Sequence, residues 1–256
     1  MGDINPYLLL ALALFGWSVL WYVIALVNKR NDVADVAWGL GFVFLAWLAF
    51  FLSGGNDRAL LVNALVTAWG LRLAWHIHSR NHGKPEDFRY AQWRREWTNF
   101  YLRSFLQVFL LQGFFLFVIA WPVMFINLTV PESFQLWDIA GIILWLIGFL
   151  FESVGDHQLK QFKKNAANRG KIITTGLWRY TRHPNYFGDA VQWWGIFLMA
   201  CAIGGGWVTV ASPLLMTYLL RYVSGVPMLE RKYAGNTAFE AYKKKTSIFF
   251  PLPPRR

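Results

Sequence analysis

The chain has 256 residues, 56% of them hydrophobic and 15% charged, with a formal net charge of +11. So apolar a composition excludes an ordinary soluble domain and places the chain among membrane proteins. A single cysteine excludes an internal disulfide, and the excess of lysine and arginine reads as membrane topology and attraction to anionic headgroups rather than nucleic-acid binding.

Apolar runs fall near 6–27, 33–52, 59–79, 104–126, 137–154, 186–204 and 206–226. Each is long enough to cross about 30 Å of hydrocarbon. The predicted architecture is all-α: one polytopic membrane domain over residues 1–256 with seven transmembrane helices. The first run lacks a basic leader and is too long for a signal-peptide core, so it is read as a retained helix. Asn31 or Asp32 is expected to cap the second span, with Asp35 completing a capping box. Pro184 is expected in the first turn of the sixth span, after a non-helical His183. The tail "KKKTSIFFPLPPRR" ends in a proline-rich piece that cannot be helical and is expected to lie along the membrane interface.

On this drawing, 22 of the 25 lysines and arginines fall on one side of the membrane and one, Arg58, on the other, with Arg72 and Arg221 inside spans. The positive-inside rule then puts the N-terminus outside and the C-terminus in the cytosol, which for a bacterium means the inner membrane. The long loops face the cytosol, where function is expected.

Ionisable groups inside hydrocarbon cost roughly 2.5 to 3.5 kcal/mol each at mid-bilayer, so their positions carry information. Asp35, Arg72, His76, Glu152, Asp156, Asp189 and Arg221 all collect at the cytosolic depth. Glu152, Asp156, Lys160 and Lys163 recur at helical spacing on one face, acids deep and bases shallow. Arg179, Arg182, His183, Lys160, Lys163 and Lys164 would form a cationic rim suited to phosphates. Glu152, Asp156, Asn185 and Asp189 beneath it suit ribose hydroxyls or a carboxamide. Tyr186, Trp178, Trp193 and Trp194 supply flat walls. Together these groups read as a cytosol-facing cavity for a nucleotide cofactor. No glycine-rich dinucleotide or phosphate-loop fingerprint is present, and no His/Cys cluster has metal spacing, since His76 and His78 point to different sides of a helix.

The stretch "GLWRYTRHPNYFGD", an aromatic helix after it, and the later "LERKY...AYKKKTSIFFP" resemble the C-terminal half of the steroid 5-alpha-reductase family and its bacterial branch. The core from Arg182 to Asp189 is also similar to the sterol C14 and C7 reductases. The similarity runs over residues 140–252, with "DVAWG" and "KPEDFRY" added from the first half. It implies a seven-helix membrane enzyme that uses NADPH to reduce a carbon–carbon double bond conjugated to a ketone, as in a 3-oxo-Δ4 steroid or similar lipid. Residues 1–103 would then form the substrate side and residues 104–256 the NADPH side. Glu152, Asp156, Asn185, Tyr186, Gly188, Asp189 and Arg221 would meet the cofactor, with Lys160, Lys163, Arg179, Arg182 and His183 near its phosphates. Asp35 resembles a second-helix acid that holds the substrate carbonyl. The third-helix tyrosine that partners it is absent from "GLRLAWHIH", and Arg72, His76 or Tyr90 would take its place. A protonated Asp35, Arg72 or His76 would stabilise charge on the carbonyl oxygen. The apolar substrate is expected to enter from the bilayer, and the protein to act as a monomer.

Two other readings stand beside this one. Isoprenylcysteine carboxyl methyltransferases and phospholipid methyltransferases carry a similar R-H-P-x-Y-x-G segment over S-adenosylmethionine. They show a Glu-Glu pair after the last span, whereas this chain has Glu230-Arg231. A non-enzymatic sterol-binding protein is the other.

Overall fold

A computed structural model describes residues 4–130 and 133–255. Among these residues all regular structure is helical, apart from one isolated parallel bridge between Thr181 and Ser247. Five helices are long and apolar enough to cross a membrane, as expected of an integral membrane protein. They are α1 (Pro6–Asn28), α2 (Val33–Ser53), α3 (Asp57–Asn81), α5 (Phe100–Ile119) and α7 (Leu136–Lys164). A short helix, α4 (Phe88–Glu96), precedes α5, and α6 (Trp121–Leu128) follows it with Pro122 in its first turn. The fourth apolar run is therefore broken at Ala120, and α5 itself contains a π-helical stretch, Phe105–Leu110.

The last two expected spans differ from the first five. The helix α8 (Pro184–Cys201) has 18 residues, but Asn185, Asp189 and Gln192 lower its hydropathy. The run over 206–226 is not one helix. It passes through a 3-10 turn (Gly206–Val210), α9 (Ala211–Tyr218) and a π turn (Leu219–Val223), then breaks before α10 (Val226–Arg231). At the break a side chain on Gly225 would stand 2.3 Å from the Leu220 carbonyl, so the backbone turns where no Cβ is present. The last helix is α11 (Thr237–Lys245).

The chain divides between residues 134 and 135 into two compact units. In the first, α5 and α6 pack on α1 and α2. Helices α2 and α3 meet through Gly39 and Gly70, where a Cβ would lie within 2.7 Å of the opposite backbone. Asn63 and Asn127 exchange amide hydrogen bonds at 3.0 and 3.1 Å in the buried middle of this unit, satisfying polar groups where hydrocarbon offers none. Asn56 caps α3, and Lys29, at φ 55°, ends α1.

The second unit is organised by α7 against α8. Gly141, Gly148 and Gly155 recur every seven residues on α7 and face Gly195, Gly188 and Pro184 on α8. A Cβ on Gly148 would approach the Gly188 carbonyl to 2.6 Å, so the two backbones touch. Small residues at a helix interface allow this approach, and dispersion rather than the hydrophobic effect holds it in a membrane. The C-terminal tail does not stand apart. The Arg182 amide donates to Ser247 at 2.8 Å, Thr181 Oγ1 to Phe249 at 2.8 Å, and the Leu252 amide to Tyr180 at 3.0 Å. The tail forms a strap over residues 178–182, completed by the Tyr242 hydroxyl donating to the Trp178 carbonyl.

Candidate functional site

In the first unit, Asp35 lies in the first turn of α2, but it does not complete a capping box. Asp32 is the N-cap residue, and its carboxylate accepts instead from Arg30 at 2.6 Å, from Asn81 at 3.3 Å and from the Asp87 amide at 3.1 Å. Asp35 is thereby left to face the segment that joins α3 to α5. The Tyr90 hydroxyl donates to Asp35 Oδ1 at 2.6 Å and the Arg89 guanidinium to Oδ2 at 2.6 Å. Both carboxyl oxygens of Asp35 accept a hydrogen bond. Of the three residues open to replace the missing tyrosine, Tyr90 is a donor to Asp35; Arg72 and His76 lie half-buried on α3, engaged with neighbours.

Tyr90 is 2% exposed and sits edge-on to Trp93. Burial, then the Asp35 charge, raise its pKa well above the usual tyrosine value despite the opposing Arg89 charge, so the hydroxyl stays protonated. Asp87 caps α4 and accepts from Arg89 Nε at 2.8 Å. Its burial favours the neutral acid, but the Arg89 hydrogen bonds and charge outweigh that and lower its pKa. Arg89 is the residue missed here. It stands in the quoted "KPEDFRY", yet nothing in the local pattern shows that it reaches back to α2.

In the second unit, α7 and α8 bring together the acids and amides read from the sequence. Glu152, 3% exposed, accepts from the Gln192 amide at 2.7 Å, and Asp156 accepts from the Asn185 amide at 3.1 Å. Asp189 is buried on the same helix. Gln192, one helical turn beyond Gly188, was not singled out. Lys160, Lys163, Lys164 and Arg179 of the expected cationic rim are exposed, and of these Lys163 lines a neighbouring cavity.

Arg182 and His183 correct that picture. Both are buried and tied to Glu230: Arg182 Nε donates to it at 2.8 Å, and His183 Nε2 lies 3.1 Å from it. Arg182 also donates to the carbonyls of Thr246 at 2.6 Å and Lys243 at 3.3 Å. The His183 ring stacks on Tyr186 with centroids 5.6 Å apart. Arg221 is half-buried on the π turn, its guanidinium 4.7 Å from the Tyr222 ring centre.

A cavity of about 550 Å³ opens beside these groups. Trp178, Tyr233, Phe239 and Tyr242 wall it, Lys163, Arg169 and Lys171 stand at its edge, and Arg182, His183 and Glu230 form its polar side. Glu152, Asp156, Asn185 and Asp189 lie outside its lining. Flat walls with a basic edge fit the adenosine and phosphate portions of a nucleotide. The buried atoms His183 Nδ1 and Asn185 Oδ1 have no hydrogen-bond partner among the described residues.

Comparison with known proteins gives a family match and relatives of different kinds. Residues 21–246 match the model of DUF1295, described as a protein of unknown function. Over 96% of its length the chain is 25% identical to the uncharacterized protein C594.04c of Schizosaccharomyces pombe, covering 80% of that protein. It is 32% identical to rat 3-oxo-5-alpha-steroid 4-dehydrogenase 1 over 114 residues, 44% of this chain and 41% of that one. A shorter stretch of 46 residues, 18% of this chain, is 46% identical to the probable O-methyltransferase ustE of Ustilaginoidea virens, covering 16% of it. No solved structure matches.

Proposed function

The chain belongs to the DUF1295 family, and from that premise we propose that it is a membrane-embedded, NADPH-dependent reductase of an enone lipid, such as a 3-oxo-Δ4 steroid. The similarity to the rat steroid dehydrogenase supports this reading, although the chain spans less than half of that protein. In the same proposal α8 and the segmented stretch 206–226 complete seven crossings, with the N-terminus outside and the long loops cytosolic.

The observation that carries the reading is the Tyr90–Asp35–Arg89 group. Reduction of an enone places negative charge on its carbonyl oxygen, and the rate depends on a donor held in place before the charge appears. Tyr90 has a hydroxyl kept protonated by its surroundings; its one O–H is donated to Asp35 and would turn from there to the substrate oxygen, while Arg89 keeps Asp35 in place. The cofactor, when bound, supplies hydride to the β carbon. Lys163 and Lys171 would hold its phosphates, Trp178 and Tyr242 its flat base, and His183 Nδ1 a polar edge.

The test uses the purified protein in lipid nanodiscs, NADPH and a 3-oxo-Δ4 steroid, with loss of reduced-nicotinamide absorbance as the signal. Tyr90→Phe should lower turnover about 100-fold or more while leaving NADPH binding intact. Asp35→Ala should act likewise, whereas Asp189→Ala should weaken NADPH binding as well. Unaltered turnover in Tyr90→Phe would remove the proposed donor.

A methyltransferase is the second reading, supported by the short match to ustE. It calls for S-adenosylmethionine, which has no phosphates, so the basic edge of the cavity would have no counterpart on that ligand. Titration of the same protein with both cofactors separates the two.

A further inference from the structure

A second, smaller cavity of about 20 Å³ lies in the first unit, bounded by α1, α2 and α5. A space of roughly 10–15 Å³ holds one water-sized group, so this cavity accepts an oxygen-bearing substituent and no ring. Its walls are Leu14, Ala34, Ala37, Phe109 and Leu116, with the indoles of Trp17 and Trp21 turned to it. The two tryptophans are four residues apart on α1 and share a helix face. Both Nε1 atoms are buried, and neither finds an acceptor among the described residues.

Nearby polar groups are already committed. Ser18 Oγ donates to the Leu14 carbonyl at 3.0 Å, and Gln112 hydrogen-bonds with Tyr90. Gly41 leaves space at the first indole, since a Cβ there would stand 3.1 Å from Trp17 Nε1. Two neighbouring donors in a dry, apolar recess are costly unless an acceptor arrives, and the membrane around them supplies none.

We propose that Trp17 and Trp21 form a recognition site for a hydroxyl or carbonyl oxygen of the bound lipid, distinct from the enone carbonyl assigned to Tyr90. Gln112 joins the two places, as it lines the cavity and hydrogen-bonds with Tyr90. Helix rise sets their separation. Trp21 and Trp17 stand seven and eleven residues from the end of α1 at Asn28, and Asp35 stands two residues into the neighbouring α2. At 1.5 Å per residue, the indoles lie roughly 7 to 14 Å deeper than Asp35. The lipid would therefore carry two oxygens about one four-ring skeleton apart, the enone at the shallow end and the second oxygen deep.

This proposal rests on the reductase reading, and its test is chosen to fail separately. The protein is labelled with ¹⁵N-indole tryptophan in nanodiscs, and the resonances of residues 17 and 21 are assigned from Trp17→Phe and Trp21→Phe. The probes are a 3-oxo-Δ4 steroid with a 17-hydroxyl and the same steroid without it. Both indole resonances should move with the hydroxysteroid and stay in place with the deoxy compound. In turnover, the hydroxysteroid should have a kcat/KM about tenfold or more above that of the deoxysteroid, and this ratio should fall toward one in the doubly substituted protein. Equal indole shifts with both steroids, or none with either, would overturn the site. Indole shifts specific to the hydroxysteroid without turnover of either probe would keep the oxygen site and remove the reductase reading.

Discussion

Replacing Glu230 by glutamine isolates the interaction that ties the C-terminal strap to the cavity wall. The carboxylate, 12% exposed, accepts from Arg182 at 2.8 Å and lies 3.1 Å from His183 Nε2. Burial opposes its ionisation, but the hydrogen bonds from His183 and Arg182 and the Arg182 charge outweigh it and hold the pKa at about 2, against an ordinary 4.5. That depressed pKa means the pairing stabilises the folded protein at neutral pH. Glutamine keeps the shape but leaves the Arg182 charge buried without its counter-ion, a change worth about 3 to 5 kcal/mol when a buried pair is broken. A chain of this size loses about 2 to 4 °C of Tm per kcal/mol, so Glu230→Gln should lower Tm by about 6 to 20 °C. Thermal unfolding in detergent can be followed with a thiol-reactive dye, since Cys201 is the single cysteine. The double change Arg182→Met with Glu230→Leu removes both charges and should recover part of the loss. A shift below about 2 °C, or strictly additive losses in the double variant, would refute the assigned pairing.

Four further outcomes follow from the same geometry. Gly188→Ala should force α7 and α8 apart, because its Cβ would stand 2.4 Å from the Glu152 amide nitrogen, and the variant should lose yield and cofactor binding together. Lys163→Glu with Lys171→Glu should weaken NADPH binding about tenfold while changing NADH binding little, measured by fluorescence titration. Burial lowers the His183 pKa, aided by the Arg182 and Arg221 charges and opposed by Glu230, so the folded state binds this proton less readily than the unfolded chain. Stability should therefore begin to fall as pH drops below about 6.5, and His183→Gln should abolish that first limb. The Glu230 limb has the same sign, being fully stabilising above its ordinary pKa and lost as pH falls toward about 2.

What could be read from the sequence, and what could not, divides by distance along the chain. The five long helices announce themselves through continuous apolar runs. The acids of α7 show through helical spacing, because Glu152 and Asp156 lie one turn apart. Asp35 stood out as an acid at a costly depth. Its partners were hidden: Tyr90 and Arg89 reach it across 55 and 54 residues, through a loop whose path depends on Asp32 accepting the Asp87 amide. Arg182 looked like a free phosphate ligand because its counter-ion lies 48 residues away on α10. The glycines at 141, 148 and 155 gave a visible period of seven, which gains meaning only once α8 presents Gly188 and Gly195 to it. The seventh apolar run is segmented in a way the sequence did not show, since hydropathy records composition and is blind to the backbone break at Gly225.

The strap over residues 178–182 sets an order on biogenesis. Arg182 waits 64 residues for the Thr246 carbonyl and 48 for Glu230. At about 5 to 20 residues per second of synthesis, the guanidinium emerges several seconds before its partners exist. During that interval the cation lacks its protein counter-ion, and anionic lipid headgroups can stand in until the later segment arrives and exchanges a lipid counter-ion for a protein one.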